Sequence, residues 1–197
     1  SGSGELLLWN SSNLSVPLAI GVSPNTLTSV VWSPDGLHLA TAEVFAYPRH
    51  SRLRIWDSND LSAGPLTNGS ESAYAVHLSA VAWSPDGAHL AAASSAGVVL
   101  VFSVPDVDDP VSCQPTTSTE PYQAVAWSPD STKLVGGSDN YGVQVWSFDK
   151  STGECEPASE GMAHGGAIHS VGWSSDGRHL VSSSEDATLR LWDATTL

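Results

Sequence analysis

The chain has 197 residues, 41% of them hydrophobic, with 7 Lys and Arg against 21 Asp and Glu for a formal charge of −14. That suits one domain with its own core, while the negative charge repels phosphate backbones and anionic bilayers, so neither nucleic acid nor membrane is expected as a partner. No apolar run approaches the ~20 residues that span a bilayer, and no segment is ordered like a secretory signal, so a cytoplasmic setting is expected.

Residues 1–4, SGSG, have the composition of a linker and are set aside. ELLLWN (5–10) and SVPLAI (15–20) then read as two short strands. WSPDG follows at Trp32–Gly36 and again at Trp83–Gly87, decaying to WSPDS at Trp127–Ser131 and WSSDG at Trp173–Gly177. Those tryptophans lie 51, 44 and 46 residues apart. A second aromatic trails each one (Trp56, Phe102, Trp146 and Trp192), and Trp9 precedes Trp56 by 47 residues. Self-similarity at a period of this size marks a repeat architecture.

Within a unit the hydrophobic pattern alternates with period two. In the last unit Ile168, Val171 and Trp173 form strand a, Ser-Asp-Gly turns the chain, and HLVSSS forms strand b. Glu185 and Asp186 make a second turn, and TLRLWD alternates as strand c. No segment keeps a 3.6-residue period. A fourth strand, d, is expected near Pro65–Gly69, Val111–Thr117 and Cys155–Ala158. The units are therefore a half-unit at 5–22 and repeats at 28–70, 79–119, 122–162 and 167–197.

Most candidate chemistry has a plainer explanation. Asp35, Asp86, Asp130 and Asp176 sit where Pro presets φ, Asp bonds its own backbone and Gly takes positive φ, which is turn chemistry. His38, His89 and His179 share one repeat position with Lys133. They fall on different units, so convergence on one metal ion is not expected. No nucleophile elbow, phosphate loop or paired-cysteine metal spacing appears; the chain is expected to be no enzyme and to need no cofactor. Cys113 and Cys155 are too few for a disulfide framework and read as two reduced thiols. The sequons at Asn10, Asn13 and Asn68 are read as chance.

The unit resembles the WD40 repeat: an apolar strand, a Ser-Pro-Asp-Gly turn, a HLAAAS strand, an Asp turn and a strand ending in Trp-Asp, as in LRIWD (53–57) and LRLWD (189–193). The resemblance covers nearly all of residues 5–197. It implies an all-β fold, a β-propeller of four-stranded antiparallel blades, with four blade units in this chain. It also implies a buried polar set of a His, a strand-b Ser or Thr, a b–c-turn Asp and the strand-c Trp. Only the last repeat fills all four places, with His164, Ser182 or Ser184, Asp186 and Trp192. The third offers Ser118, Asn140 and Trp146. The second has Tyr74, Ala96 and Phe102, and the first has Ser23 and Trp56.

The ends do not make a simple ring. There are four strands each of types a, b and d but five of type c, and the last repeat lacks strand d. The bare edge at Thr188–Asp193 invites pairing with Ser15–Ile20, from the same chain or from a second copy. The alternatives are a closed four-blade ring, half of an eight-blade ring formed by two chains, or a fragment, natural or engineered, of a longer propeller.

One feature is peculiar to a single repeat. EVFAYPRHSRLR (43–54) makes the first b–c connection five residues longer than the others. It carries Phe45, Tyr47, Arg49, His50 and Arg52, types enriched at interface hot spots. The resemblance places this loop on the face that most often binds partners. The expected function is a non-catalytic scaffold that binds a protein or peptide at this loop. The alternative is a self-assembling propeller half with no separate ligand.

Overall fold

Alternating apolar residues cut by Ser-Asp-Gly turns give short antiparallel strands, and each turn here is a hydrogen-bonded device. The computed structural model describes residues 4–12, 14–45, 50–69, 76–116, 119–162 and 164–196. In the turn after strand a, the Ser hydroxyl donates to the Asp two residues on (Ser84 to Asp86 2.7 Å, Ser128 to Asp130 2.6 Å, Ser174 to Asp176 2.6 Å). The same Ser oxygen accepts the N–H of His38, His89, Lys133 or His179 at 2.9 Å, closing the hairpin. The fifth residue needs a left-handed backbone: Gly36, Gly87 and Gly177 have φ of 71°, 76° and 70°. Ser131 stands in the same place at φ 60°, a conformation that costs a residue with a Cβ roughly 1–2 kcal/mol.

The strands group into consecutive sheets. A half-blade pairs β1 (Gly4–Leu8) with β2 (Ala19–Ser23). Blade 1 is β3 (Thr26–Trp32), β4 (His38–Val44), β5 (Ser51–Asp57) and β6 (Pro65–Asn68). Blade 2 is β7 (Leu78–Trp83), β8 (His89–Ser94), β9 (Val99–Ser103) and β10 (Val111–Cys113). Blade 3 is β11 (Tyr122–Trp127), β12 (Lys133–Ser138), β13 (Gly142–Phe148) and β14 (Cys155–Met162). Blade 4 has three strands, β15 (Ile168–Trp173), β16 (His179–Ser184) and β17 (Leu189–Asp193). Among the described residues the only helix is a single 3-10 turn at Leu61–Ala63, and no helix is long and apolar enough to cross a membrane.

Several boundaries differ from the sequence reading. Gly4 opens β1 instead of closing a linker, and its N–H donates to Asn25 O at 2.9 Å. The d strand expected over Ser15–Ile20 begins at Ala19 and pairs with β1, not with the bare edge of blade 4. Among the described residues β17 pairs with β16 alone.

The core lies between sheets, one apolar cluster per joint. Leu6, Leu39, Trp56 and Leu61 join the half-blade to blade 1. Leu53, Ile55, Val81 and Trp83 join blades 1 and 2; Val99, Val101, Val125 and Trp127 join blades 2 and 3; and Val143, Val145 and Ile168 join blades 3 and 4. Strand a carries a bulge at one place in all four blades, at Thr28, Ser79, Gln123 and His169. A bulge re-aims a side chain, and two of these reach the next blade: Thr28 Oγ1 donates to Leu78 O at 2.8 Å and Ser79 Oγ to Tyr122 O at 2.7 Å.

The two cysteines correct the sequence reading. They are not free thiols: Cys113 of β10 and Cys155 of β14 form a disulfide joining the outer strands of blades 2 and 3. Their separation of 42 residues is close to one repeat period, which puts both on strand d of adjacent blades.

Candidate partner-binding site at the long b–c loop

The loop grows from the ends of β4 and β5, which extend until Val44 pairs with Ser51. Of the five candidates, Tyr47 and Arg49 lie outside the described residues. The other three come together at the loop base. Phe45 and His50 stack with ring centroids 4.4 Å apart, and the Arg52 guanidinium lies 4.9 Å from the centre of the Phe45 ring. Phe45 N–H donates to His50 O at 2.9 Å, closing the base. All three are half-buried, so the base is a compact cation–aromatic stack. Burial, reinforced by neighbouring Arg54, pulls the Arg52 guanidinium below its ordinary value, while Glu43 opposes this.

Beneath the stack lies a group that the sequence reading missed. Glu43 is fully buried and pairs with Arg54, Nη1 to Oε1 at 2.9 Å, while Asn25 Nδ2 donates to its second oxygen at 3.2 Å. The other repeats place Ser94, Ser138 and Ser184 where this one has Glu43. That single departure was the available signal. A paired buried charge is costly to break, so it holds the strand ends that launch the loop.

The four polar residues named in the last repeat are within hydrogen-bonding distance of one another. His164 contacts Asp186 Oδ2 through Nδ1 at 3.0 Å and Ser182 Oγ through Nε2 at 2.7 Å. Trp192 Nε1 donates to the same Ser182 oxygen at 2.8 Å. Ser182 therefore fills the strand-b place, while Ser184 donates to Gly166 O. The Asp186 carboxyl is held well below the ordinary value, first by Thr188 and then by Gly165 N–H.

The other blades satisfy strand c differently, each according to the residue opposite. In blade 1 Trp56 Nε1 donates to Thr41 Oγ1 at 2.9 Å, with both residues fully buried. Blade 2 has Ala92 and Phe102 there, with no polar group to satisfy. Blade 3 has Gly136, whose missing Cβ would meet the Tyr122 ring at 2.8 Å and Trp146 at 3.0 Å. With no hydroxyl opposite, Trp146 Nε1 donates instead to Gln114 O at 2.7 Å. Tyr74 and Ser118 lie outside the described residues, and Asn140 is used in its own turn, accepting Gly142 N–H at 3.2 Å.

The turn aspartates serve their turns. Asp35, Asp130 and Asp176 are lowered chiefly by the bonds from Ser33, Ser128 and Ser174. At Asp86 burial pushes the carboxyl up, but the Lys150 ammonium at 2.8 Å and the Ser84 hydroxyl outweigh it and bring the value down to about 2. Clefts of about 290 and 170 Å³ lie between these turns at the blade 1–2 and 3–4 joints. Their lining is mostly the repeated turn, with His38, Trp83 and Val104 added in the first and Lys133 and Trp173 in the second. Among the described residues no three His, Cys, Asp or Glu side chains are placed to hold a metal ion.

The family model for the WD domain, G-beta repeat, matches residues 69–103, 112–147 and 156–193, more than half of the chain. Over 192 residues the chain is 28% identical to apoptotic protease-activating factor 1 of Danio rerio, covering 94% of this chain but 14% of that protein. It is 25% identical over 169 residues to serine-threonine kinase receptor-associated protein of Gallus gallus, covering 86% of this chain and 43% of the relative. A 51-residue stretch, 25% of the chain, is 43% identical to WD repeat-containing protein 1 of Mus musculus, 8% of whose length it spans.

Proposed function

The chain belongs to the WD40-repeat family, and from that premise we propose that it is a non-catalytic scaffold that binds a protein or peptide at the first b–c loop, with Phe45, Tyr47, Arg49, His50 and Arg52 making the contact. WD40 domains are in general protein-interaction scaffolds. The observation that carries the assignment is the Phe45–His50–Arg52 stack seated over a buried Glu43–Arg54 pair, on the one connection longer than its equivalents. Rigid aromatic and Arg anchors give contact area at low entropic cost. One relative is named as receptor-associated, which fits a binding role. Neither nucleic acid nor membrane is part of this reading, in keeping with the charge of −14.

The test is quantitative affinity capture with the wild-type chain against a Phe45→Ala, Tyr47→Ala, Arg49→Ala variant and a Tyr47→Ala, Arg49→Ala variant that spares the stack. Partners should be lost from both; unchanged capture would remove the site. Cytoplasmic residence belongs to this reading as well, and the Cys113–Cys155 bridge is where it is tested. A reducing compartment keeps such a pair open. Alkylation of protein taken directly from cells separates the cases: cytoplasmic residence requires two labelled thiols, with the bridge closing only after extraction, whereas a bridge already intact in cells, as the structure has it, places the chain in an oxidising compartment.

A second reading is favoured by the bare edge of β17 and the exposed apolar residues beside it: a propeller half that self-assembles, two chains making an eight-bladed ring. The mass in solution separates the two readings.

A further inference from the structure

Successive a–b turns meet at each blade joint, and the joint between blades 2 and 3 shows what fills the space between them. Blade 3 supplies two groups from the end of its own strand c. The Phe148 ring packs edge-on against His89, with centroids 4.9 Å apart, and against Trp127 at 5.2 Å. It is only 4% exposed. Two residues on, Lys150 Nζ lies 2.8 Å from Asp86 Oδ2, the turn carboxylate of blade 2. A third contact closes the joint: Ser131 Oγ accepts Asp86 N–H at 3.1 Å.

The joint between blades 1 and 2 has the same receiving groups without the filling ones. Asp35, His38 and Trp83 stand where the filled joint has Asp86, His89 and Trp127. Phe148 N–H donates to Thr132 O at 2.7 Å, and Val104 N–H donates to Ala88 O at 2.9 Å at the same step of its own blade. Val104 is therefore the counterpart of Phe148, and Asp106, two residues on, is the counterpart of Lys150. Gly87 takes the place of Ser131 and has no hydroxyl to offer Asp35. The ring is lost, the cation becomes an acid, and a cleft of about 290 Å³ remains, lined by Asp35, His38, Trp83, Asp86 and Val104 among others. A cavity of about 150 Å³ is enough to hold a benzene ring. At the joint between blades 3 and 4 the cleft is about 170 Å³, and Lys133 in the histidine place already brings a cation of the chain's own.

We infer that the cleft between blades 1 and 2 binds a segment of a partner protein that presents an aromatic side chain and, two residues later, a Lys or Arg. The ring seats against His38 and Trp83, and the cation pairs with Asp35, as Phe148 and Lys150 do one joint further along. The chain's charge of −14 favours a basic segment. This surface does not rest on the long-loop reading: strand b runs from the a–b turn to the b–c loop, so the two sites lie at opposite ends of the blades.

The test is an NMR titration of the isotopically labelled full chain, with the Trp83 indole N–H as local probe. The ligands are the capped peptides GSFGKG, GSAGKG and GSFGAG. GSFGKG should bind at millimolar concentration or below. Loss of the ring should weaken binding about tenfold or more, and loss of the cation about two- to fivefold. Val104→Phe with Asp106→Lys rebuilds the blade 3 pair inside the chain; it should melt at or above wild type and lose the peptide. Asp35→Asn keeps an acceptor oxygen for the turn and should bind GSFGKG no better than GSFGAG. If the double variant melts well below wild type, Asp35→Asn alone decides. The Phe45→Ala, Tyr47→Ala, Arg49→Ala variant should bind GSFGKG unchanged, so failure of either site leaves the other standing. No binding at millimolar GSFGKG, equal binding of the three peptides, undiminished binding by a stably folded double variant, or an Asp35→Asn chain that still prefers GSFGKG would each overturn the inference.

Discussion

Replacing Thr41 by Val tests whether a single hydroxyl holds strand c of blade 1. The change keeps the side-chain shape and removes only the oxygen that accepts Trp56 Nε1–H at 2.9 Å. Both residues are fully buried, so water cannot take over the bond. An unsatisfied buried donor costs about 1–3 kcal/mol, and in a chain of this size each kcal/mol moves Tm by about 2–4 °C. Thr41→Val should therefore lower Tm by roughly 2–12 °C. The partner experiment is Trp56→Phe, which deletes the donor and copies the Phe102 of blade 2. In that background no donor remains to be stranded, and Thr41→Val should cost little. Differential scanning calorimetry of the four proteins gives the coupling, expected at about 1 kcal/mol or more. Equal costs of Thr41→Val in both backgrounds would refute the argument, because the loss would then come from packing.

Three further outcomes follow from the same structure. Ala187 sits exposed at φ 63° in the turn where blade 2 has Gly97 at φ 74°, so Ala187→Gly should stabilise by about 0.5–1 kcal/mol in chemical denaturation, the strain relieved exceeding the entropy added. Opening the Cys113–Cys155 bridge releases a 42-residue loop, worth about 4 kcal/mol in the chain-entropy account, and a melt that reductant leaves unmoved would contradict it. Asp86 is depressed from 3.8 to about 2, so its contribution is complete above pH ~4 and fades as pH falls towards 2. Asp86→Asn should therefore melt below wild type at pH 6, and the gap should narrow steadily in melts taken down to pH 2.

How much of this was legible in the sequence differs from element to element. The pentapeptide was, because everything it does is local. Ser, Asp and Gly bond within a five-residue turn whose geometry hardly depends on the rest of the chain, and a period near 46 residues counted the blades. The Trp192 set was legible only through the family resemblance, which implied its four places, and the choice of Ser182 over Ser184 waited for the structure. Thr41 as the acceptor for Trp56 was visible in principle, at the strand-b position that Ser182 fills in the last repeat.

What the sequence could not supply are the terms that depend on one blade meeting another. Cys113 and Cys155 are 42 residues apart in the chain, and only the stacking of successive outer strands brings their sulfurs together. Glu43 drew no reading from the sequence, because its role appears only when β5 lays Arg54 against it. The exposure of Leu189 and Leu191 has the same origin: their pattern matches Leu53 and Ile55 letter class for letter class. Local periodicity decides which side of a strand is apolar, because it needs only the two-residue alternation of the backbone. Whether that side is covered depends on a neighbouring sheet, and only the tertiary structure shows four joints filled and, among the described residues, the Leu189–Leu191 face uncovered.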